Sequence, residues 1–325
     1  MNNERVFITG ANGFIGNELV LRCVKEGYEV GGLVREHSKP DEAINKMRGK
    51  VKLFVGDIRD KLTLDGVMRD FNPHFIVHFC ALSRVGYSFN HVLETCHTNF
   101  VGTVNMVLSA QKYASNLQKF FYASSVEVYG QQDEYQKMMK PLTEDLKLIP
   151  LSPYGVWKTS SEYFLKQQHI CNSFPAIMIR QTNTYGDKYD PYCFIEYCIS
   201  QMIKNPDAVS FGNPEPYRAF IYIDDLVDMY LHLFKYNDGN IFGEVFNTGP
   251  PNAVTIGELA RIIAKKMNWN GKINWYTRER RVGGEVYYLN AGNDKITNMT
   301  GWKPKISLDE GLDKTISFWK NKLKQ

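Results

Sequence analysis

The sequence predicts an α/β protein: a doubly wound parallel sheet with helices on both faces, followed by a smaller mixed α/β lobe. Over the first 185 residues, short apolar runs typical of buried strands alternate with segments of helical periodicity. Such an alternation gives a parallel sheet with right-handed crossovers. From about Asp187 the alternation stops, and short segments rich in proline, glycine and asparagine appear. We therefore expect one domain over residues 1–185, to which 218–248 return, and a second lobe over 186–325.

Composition and charge narrow the class of protein. Of the 325 residues, 43% are hydrophobic and 23% are charged, as in a soluble globular protein. The net charge of +4 comes from scattered basic residues, which disfavours nucleic acid as a partner and suits an anionic small molecule. We expect a cytoplasmic protein with no membrane partner, because the sequence contains neither a transmembrane-length apolar run nor a signal peptide. The six cysteines have no paired or metal-ligand spacing, so we expect free thiols and no metal.

A glycine-rich turn separates the first predicted strand, 6–9, from the first predicted helix, about 15–26. Gly10 permits the tight turn, Gly13 lets the backbone approach a pyrophosphate, and Gly16 lets the helix pack against the strand. The amino terminus of the helix offers N–H groups and the positive end of its dipole to phosphate. With the next strand, 28–34, this is the nucleotide-binding unit of a Rossmann sheet. Its expected cofactor contacts are Gly10, Asn12, Gly13, Phe14, Ile15 and Gly16.

The end of the second strand bears on the choice between the two nicotinamide cofactors. NAD-binding proteins usually carry an acidic residue there, which bonds the ribose hydroxyls. Here the strand ends in Val34-Arg35, and an arginine suits a 2′-phosphate through charge-assisted hydrogen bonds. An ordinary solvated arginine is the alternative. We expect NADP rather than NAD.

Further predicted strand ends add residues to the same edge of the sheet. Strands are predicted over 51–55, 75–79 and 120–123, and one long helix over about 88–115. Asp57 and Ile58 come after the first of these strands, and Ala81 comes after the second. Asp57 either bonds the adenine amino group or caps the next helix. Because ligands of doubly wound sheets bind at the carboxyl ends of the strands, we expect Asp57, Ile58 and Ala81 to contact the cofactor.

A tyrosine and a lysine four residues apart, Tyr154 and Lys158, lie on one face of a predicted helix. The ordinary pKa of tyrosine is ~10, which is too high for a general base at neutral pH. A nearby ammonium favours the phenolate and so lowers this pKa. The Ser125 hydroxyl, at the end of strand 120–123, can bridge the substrate oxygen and the tyrosine. Such a trio removes a hydroxyl proton while the carbon gives a hydride to a nicotinamide, so Tyr154 and Lys158 should also contact the cofactor. For Tyr154 alone, a packed aromatic is the alternative.

Three motifs together resemble the extended short-chain dehydrogenase/reductase family, which contains the nucleotide-sugar epimerases and dehydratases. They are Gly-x-x-Gly-x-x-Gly from Gly10, the strand end Ser-Ser-Val-Glu-Val-Tyr-Gly over 124–130, and Tyr154-x-x-x-Lys158. The resemblance covers nearly the whole chain. It implies catalytic roles for Ser125, Tyr154 and Lys158.

Segments 83–89, 98–103 and 301–304 are similar to those of the GDP-mannose 4,6-dehydratases and the GDP-4-keto-6-deoxymannose reductases. In dehydratases of this type, a glutamate two positions after the catalytic hydroxyl assists the loss of water, and Glu127 stands in that relation to Ser125. Once C4 is oxidised, the C5 proton becomes acidic, and a carboxylate can take it and return a proton to the C6 hydroxyl. Val126 stands where the dTDP-glucose dehydratases have aspartate, which argues against a mechanism with two carboxylates. A structural or substrate-binding role for Glu127 is the alternative.

The resemblance implies an NADP-dependent nucleotide-sugar 4,6-dehydratase, a lyase, with a GDP-hexose as the expected substrate. Two enzymatic alternatives stay open: an NADPH-dependent 4-keto-6-deoxy nucleotide-sugar reductase, and a nucleotide-sugar 4-epimerase or decarboxylase. A nucleotide-sensing regulator of the same fold is disfavoured, because the residues of the catalytic trio are all present.

The resemblance also implies substrate contacts in the carboxyl-terminal half. Asn183 comes after a sixth predicted strand, and Arg218 opens a segment similar to the family's Arg-Asp-Phe motif, although Ala219 replaces the aspartate. Three arginines (278, 280 and 281) precede Glu285 at a longer spacing than in relatives, so the acting arginine is open. The expected substrate contacts are Ser83, Ser125, Asn183, Arg218, Arg281 and Glu285. Relatives pair through two long helices, so we expect a homodimer or a homotetramer.

Overall fold

The computed structural model describes residues 4–36, 41–188, 190–277 and 285–323. Its strands are β1 (Arg5–Thr9), β2 (Glu29–Val34), β3 (Lys52–Val55), β4 (Phe75–His78), β5 (Lys119–Ser125), β6 (Ala176–Gln181), β7 (Asn183–Tyr185), β8 (Ala208–Ser210), β9 (Tyr217–Arg218), β10 (Phe220–Tyr222), β11 (Val245–Asn247), β12 (Val254–Thr255), β13 (Lys272–Asn274) and β14 (Tyr288–Leu289). Its helices are α1 (Phe14–Lys25), α2 (Asp41–Met47), α3 (Lys61–Phe71), α4 (Val85–Asn90), α5 (Val92–Cys96), α6 (Gly102–Tyr113), α7 (Asp133–Met138), α8 (Pro153–Asn172), α9 (Phe194–Lys204), α10 (Ile223–Lys235), α11 (Ile256–Met267), α12 (Asp294–Thr300) and α13 (Leu308–Lys322). A π-helical turn covers His97–Val101, and 3₁₀ turns cover Val126–Tyr129 and Gly239–Ile241.

Seven strands form the main sheet, in the order β11-β6-β5-β4-β1-β2-β3. The pairs β1–β2, β1–β4, β2–β3 and β4–β5 are parallel, and Thr9 lies opposite both Leu33 and His78. The chain order reverses between β1 and β4, which is where doubly wound sheets bind their ligands. The predicted fold class, a doubly wound α/β sheet, is confirmed.

The chain forms two compact units. The first comprises residues 1–128, 152–180 and 227–246, and the second comprises 129–151, 181–226 and 247–325. From the sequence we expected 1–185 and 218–248 to belong together, whereas here 129–151, 181–185 and 218–226 belong to the second unit. The segment 129–151 contains only one short helix, α7, so its sequence carries no long periodic pattern that would assign it to either unit.

Residues 227–246 are attached to the sheet of the first unit by a buried lysine. The Lys119 ammonium, at the start of β5, donates to the backbone carbonyls of Leu233, Phe234 and Tyr236. These carbonyls lie at the end of α10, where a helix has no backbone donors of its own to offer them. The Phe234 ring stacks on Phe75 of β4 with 4.9 Å between the ring centroids.

The prediction that a strand beginning at Arg218 returns to the main sheet is wrong. β10 pairs in parallel with β7 in a separate two-stranded sheet, with Phe220 opposite Asn183. The Thr182 hydroxyl fixes this pairing by donating to the Ala219 carbonyl at 2.8 Å. The seventh strand of the main sheet is instead β11, beside β6. β10 and β11 each contain only three residues, so their sequences do not show which of them joins the main sheet.

The single helix predicted over 88–115 is divided into α4, α5, the π-helical turn and α6. His91, with φ −132° and ψ 49°, separates α4 from α5. The π-helical turn contains Asn99, whose side-chain amide accepts from the Leu82 N–H at 2.7 Å and donates to the Leu82 carbonyl at 3.1 Å. These bonds join the π-helical turn to the loop after β4. A periodicity pattern along the chain cannot predict such bonds between distant residues.

The second unit has the mixed character that the sequence predicts. β9 pairs antiparallel with β12 and parallel with β14, and β8 pairs in parallel with β13. Capping boxes begin α11, through Thr255 and Glu258, and α13, through Ser307 and Glu310. Among the described residues, no helix has the length and apolar character that crossing a membrane requires.

Candidate active site

The glycine turn after β1 has the shape that a pyrophosphate requires. Gly10 has φ +67°, and the Gly13 N–H donates to its carbonyl at 2.9 Å. A Cβ at Gly16 would lie 2.2 Å from the Gly10 carbonyl oxygen, so only glycine lets α1 start this close to the turn. Gly13 is the residue before α1 and has no side chain to cap it. The residues present therefore fit the phosphates of a dinucleotide cofactor at the amino terminus of α1.

The ends of β2 and β3 bring two arginines and one carboxylate together. Arg59 binds Asp57 through its backbone N–H at 2.9 Å, its Nε at 2.9 Å and its Nη2 at 2.7 Å. The hydrogen bond from Arg59 lowers the pKa of Asp57, and the charge of Arg35 acts in the same direction. Asp60, not Asp57, caps α3 by accepting from two backbone N–H groups. The capping alternative for Asp57 is therefore excluded, and two cationic side chains accompany one anionic side chain here.

The loop after β4 carries the predicted contacts Ala81 and Ser83. Asn99 holds this loop through both polar backbone groups of Leu82, which lies between them. Ile58, the predicted contact after β3, is buried. A Cβ at Gly102, the first residue of α6, would lie 2.8 Å from an Ile58 side-chain carbon, so the Ile58 side chain packs directly on the backbone of Gly102.

A chain of buried hydrogen bonds connects the end of β1 with the π-helical turn. The Thr103 hydroxyl donates to the Asn99 carbonyl at 2.7 Å, so it accepts from His78 Nε2 at 3.0 Å. His78 Nδ1 then accepts from the Thr9 hydroxyl at 2.8 Å, and that oxygen accepts from the Cys80 N–H at 3.1 Å. Burial lowers the pKa of His78 to about 3, so the imidazole stays neutral and this direction of bonding is kept.

The first turn of α8 carries Tyr154 and is capped from two directions. Ser152 is the N-cap, and its hydroxyl accepts from the Gly155 N–H. Pro153 has no N–H, and the Tyr154 N–H donates to the hydroxyl of Ser88 in α4 at 3.2 Å. Each of the early N–H groups thus has a partner, and the backbone position of Tyr154 is fixed.

Lys158 is buried beside Tyr154. Its ammonium donates to the Ala123 carbonyl of β5 at 2.5 Å and lies 5.8 Å from the centroid of the Tyr154 ring. Burial lowers the pKa of Lys158 to about 8, whereas the carboxylate of Glu196 raises the pKa of another buried lysine, Lys188, despite its burial. An ammonium retained at this cost, with a carbonyl as its acceptor, is typical of a functional site.

The end of β5 presents Ser125 and Glu127. Ser125 is nearly buried, and its hydroxyl accepts from the Glu127 N–H at 3.2 Å. Glu127 is half-buried on the 3₁₀ turn that comes after the strand, whereas Val126 packs into the core. The turn therefore presents one carboxylate directly after the hydroxyl of Ser125.

A buried ion pair lies next to the end of β5. Glu162, one turn after Lys158 in α8, pairs with Arg180 of β6 at 2.8 Å. The Ser124 hydroxyl donates to the same carboxylate at 2.5 Å. Together with the Lys158–Ala123 bond, these contacts hold α8 against β5, so that Tyr154, Lys158 and Ser125 come from two firmly joined elements.

The predicted substrate contacts of the second unit lie on connected strands. Asn183 is exposed on β7 opposite Phe220, and Arg218 lies two residues earlier on β9. β14, which comes after Glu285, pairs with β9, and Glu285 accepts from the Asn213 side chain at 2.9 Å. Arg281, with Arg278 and Arg280, lies outside the described residues.

Several residues of the first unit that sequence reasoning did not identify shape the site. They are Thr9, His78, Ser88, Asn99, Thr103, Glu162 and Arg180. On the sequence alone, Ser88, Asn99 and Thr103 are only parts of segments that resemble relatives, and the other four residues carry no local signal. In the described part of the chain, no three histidine, cysteine or acidic side chains come together as a metal site requires.

The chain is similar in sequence and in fold to nucleotide-sugar dehydratases and epimerases. Residues 7–315 match the family described as GDP-mannose 4,6 dehydratase. The chain is 27% identical to the UDP-glucose 4-epimerase of Mycolicibacterium smegmatis, with 98% of this chain and 99% of that protein covered. It is also 27% identical to the dTDP-D-glucose 4,6-dehydratase of Homo sapiens, with 98% and 90% covered. The UDP-glucuronic acid 4-epimerase of Bacillus cereus, solved with UDP-glucuronic acid and NAD, superposes with a TM-score of 0.86 at 25% identity over 98% and 99% of the two chains.

The burial of Lys158 predicts that the substitution Lys158→Met stabilises the protein at pH 7. The pKa of Lys158 is lowered from 10.5 to about 8, which corresponds to a cost on the order of 3 kcal/mol to the folded state. The substitution removes this cost but also the bond to Ala123, which offsets part of the stabilisation. We therefore expect a gain of about 1–3 kcal/mol in the free energy of unfolding. Because the cost is present below the folded pKa and disappears as pH rises towards the unfolded pKa, the gain should shrink between pH 8 and pH 10.5. Urea denaturation at several pH values measures it.

Lys188→Met is the matched control. Its ammonium is equally buried but paired with Glu196 at 3.0 Å, so its removal should destabilise the protein by about 3–5 kcal/mol. A Lys158→Met variant that is as destabilised as Lys188→Met would contradict the assignment of Lys158 as a buried charge without a compensating carboxylate.

Proposed function

We propose that this chain, which belongs to the GDP-mannose 4,6-dehydratase family, is a nucleotide-sugar 4,6-dehydratase. The family consists of nucleotide-sugar dehydratases and epimerases of the extended short-chain dehydrogenase/reductase group. The observation that carries the proposal is the position of Glu127. Glu127 is half-buried two residues after Ser125, and its N–H donates to the Ser125 hydroxyl. A dehydratase needs such a carboxylate, and an epimerase does not.

In the first step Tyr154 takes the proton of the sugar C4 hydroxyl. Lys158 favours the phenolate through its charge, and the Ser125 hydroxyl bonds the same sugar oxygen. A bound nicotinamide cofactor would supply a ring able to accept a hydride from C4 and to return one to C6. The residues that would hold it are those of the glycine turn, Arg35, Asp57, Ile58 and Ala81.

In the second step Glu127 removes the C5 proton, which the C4 ketone has made acidic. It then gives a proton to the C6 hydroxyl, which leaves as water, so the carboxylate ends in its starting state. When a hydride returned to C6, C5 would take its proton from solvent. One carboxylate suffices for both transfers. Val126 is 2% exposed in the core, so no second acidic side chain stands beside Glu127 on this turn.

For the substrate we propose a GDP-hexose, in keeping with the family that matches nearly the whole chain. Asn183, Arg218 and Arg281 would bind its diphosphate or sugar, and Glu285 its nucleoside, with Ser83 and Ser125 at the sugar. Asn213 orients the Glu285 carboxylate through the bond between them.

For the cofactor we propose NADP. Arg59 is bound to Asp57 and is also stabilised by the charge of Glu94, whereas Arg35 acts on Asp57 through its charge. Arg35 is therefore the arginine that would bind a 2′-phosphate through charge-assisted hydrogen bonds. The Bacillus cereus epimerase of similar fold holds NAD, so the preference rests on these side chains and not on that likeness.

A 4-epimerase is the second candidate function. Relatives of that activity match the chain as well as a dehydratase does. Tyr154, Lys158 and Ser125 begin both reactions in the same way, because both oxidise C4. The candidates differ at Glu127, which an epimerase would use for binding or for structure alone.

We also propose that the protein is a cytoplasmic homodimer, or a homotetramer of such pairs, joined through α8 and the α5–α6 helices. On α8, three exposed apolar side chains recur every seven residues and so share one face: Val156, Tyr163 and Ile170. Tyr163 is 62% exposed and Ile170 is 71% exposed. Leu93, Val101 and Leu108 add exposed apolar surface on the neighbouring helices.

The substitution Glu127→Gln should separate oxidation from loss of water. With NADP and GDP-mannose, the variant should still form NADPH in a single turnover, seen as nicotinamide absorbance, because Tyr154 and Lys158 are intact. Formation of the 4-keto-6-deoxy product should fall at least about 100-fold, since glutamine cannot transfer protons. Glu134→Gln, on α7, is the control and should behave as wild type. Dehydration at the wild-type rate in Glu127→Gln would remove Glu127 from the mechanism, and steady reduction of a 4-keto sugar by NADPH without any dehydration would favour the reductase.

The substitution Arg35→Asp should reverse the cofactor preference. Loss of a charge-assisted bond to the 2′-phosphate should weaken NADP binding by about 10- to 100-fold and leave NAD binding unchanged or improved. Arg48→Asp, an equal change of charge at another exposed arginine, should alter neither. Titration calorimetry with both cofactors measures the dissociation constants. Wild-type protein that binds NAD more tightly than NADP would contradict the assignment.

The double substitution Tyr163→Asp and Ile170→Asp should produce a folded monomer. The wild-type mass by light scattering should be two or four times the chain mass of 37.5 kDa. Association of two chains through the apolar face would bury two carboxylates away from water, which is unfavourable. The variant should therefore sediment as a single chain, and its circular dichroism spectrum should be unchanged. Met138→Asp, at an exposed apolar side chain of α7, is the control. A monomeric wild type would exclude the proposed assembly.

A further inference from the structure

The ammonium of Lys158 lies near two aromatic rings inside the first unit. Its Nζ is 4.8 Å from the centroid of the Tyr122 ring on β5 and 5.8 Å from that of Tyr154 on α8. Lys158 is 3% exposed and Tyr122 is 1% exposed, so water does not screen this contact. At such a distance, the negative face of an aromatic ring attracts a cation, and the attraction is strongest where both are desolvated.

The other titratable groups around Lys158 leave its charge largely uncompensated. On β4 and its loop, His78 is neutral, and burial raises the pKa of the Cys80 thiol to about 11. On α8, the Glu162 carboxylate contributes at a distance but is bound by Arg180 and Ser124.

Tyr122 itself carries no charge. Burial raises its pKa well above the ordinary value for tyrosine, so the phenol stays protonated. The hydroxyls of Ser161 and Thr103 lie close enough to oppose this rise in pKa, but no hydrogen bond of good geometry reaches the Tyr122 hydroxyl among the described residues. The ring is held instead by packing, including a stacked contact with His78 at 6.0 Å between the ring centroids.

We propose that Tyr122 is a positioning residue of the active site, whose ring face holds the Lys158 ammonium in its charged form beside Tyr154. The role rests on the proposed function, since a charged Lys158 is what favours the Tyr154 phenolate. An aliphatic side chain at position 122 would leave the ammonium with the Ala123 carbonyl and an otherwise apolar surrounding. Without the attraction of the ring, burial would disfavour the charged ammonium more strongly. The pKa of Lys158 would then be lower.

The direct test is the titration of Lys158 by NMR in the full-length protein without cofactor, with lysine labelled at Cε and Nζ. Lys158→Met assigns the signal. In Tyr122→Leu the titration midpoint of Lys158 should fall by about one pH unit, the shift expected for loss of a desolvated cation–π contact. Tyr122→Phe keeps the ring and loses only the hydroxyl, so its midpoint should match the wild type. Lys119, also buried but bound to three carbonyls, is the internal control and should not move.

The second readout is the pH profile of kcat/KM. In Tyr122→Leu, the alkaline limb should move to lower pH by a similar amount, and in Tyr122→Phe it should stay in place. A ring that served packing alone would lower kcat/KM equally at all pH values. Tyr122→Met, an unbranched side chain that fills irregular space, replaces Tyr122→Leu if that variant does not fold. A Lys158 midpoint unchanged in the folded aliphatic variant overturns the proposal, and this result is readable whichever reaction the enzyme catalyses.

Discussion

The burial of one ammonium group, that of Lys158, is the constraint on which the active site depends. Its bond to the Ala123 carbonyl joins α8 to β5, and so sets Tyr154 beside the strand end that carries Ser125. The folded state bears the desolvation of this charge, as the lowered pKa of Lys158 shows. Supporting contacts surround it: the Glu162–Arg180 ion pair and the capped first turn of α8. The buried charge lowers stability at this position, and in the mechanism that we propose it favours the phenolate of Tyr154.

The same arrangement explains why one fold serves several reactions on nucleotide sugars. In the mechanism that we propose, the glycine turn, Tyr154 and Lys158 serve only the oxidation at C4, which dehydratases and epimerases share. The later chemical steps depend on the groups that reach C5 and C6. In this chain the turn after β5 carries Glu127 and buries Val126, so the elimination that we propose would use a single carboxylate of this turn. The identity of the reaction thus rests on a few residues at the end of one strand.

Sequence patterns predicted the parts of the site that are local in the chain. The glycine turn and the Tyr154–Lys158 spacing are short motifs. They predicted the parallel sheet, which is confirmed, and the cofactor and substrate contacts that they indicate stay predictions. The contacts between distant positions were not predictable in this way: the Thr9–His78 bond spans 69 residues and the Ser88–Tyr154 bond spans 66. The break in the helix predicted over 88–115 has the same origin, because the bonds of Asn99 to Leu82 are tertiary. Short strands such as β10 and β11 carry too few residues for their partners to be read from the sequence.

A 4,6-dehydratase in which Tyr154 and Glu127 act in turn leaves a characteristic isotopic signature, the fate of the hydrogen at C4. The purified protein is supplied with NADP and with GDP-mannose, UDP-glucose or dTDP-glucose carrying deuterium at C4, and the products are identified by NMR and mass spectrometry. We expect a 4-keto-6-deoxy product from a GDP-hexose, with the deuterium transferred to C6 and a solvent proton at C5. A product epimeric at C4 that keeps its deuterium there, with no loss of water from any of these sugars, would contradict the proposed dehydration.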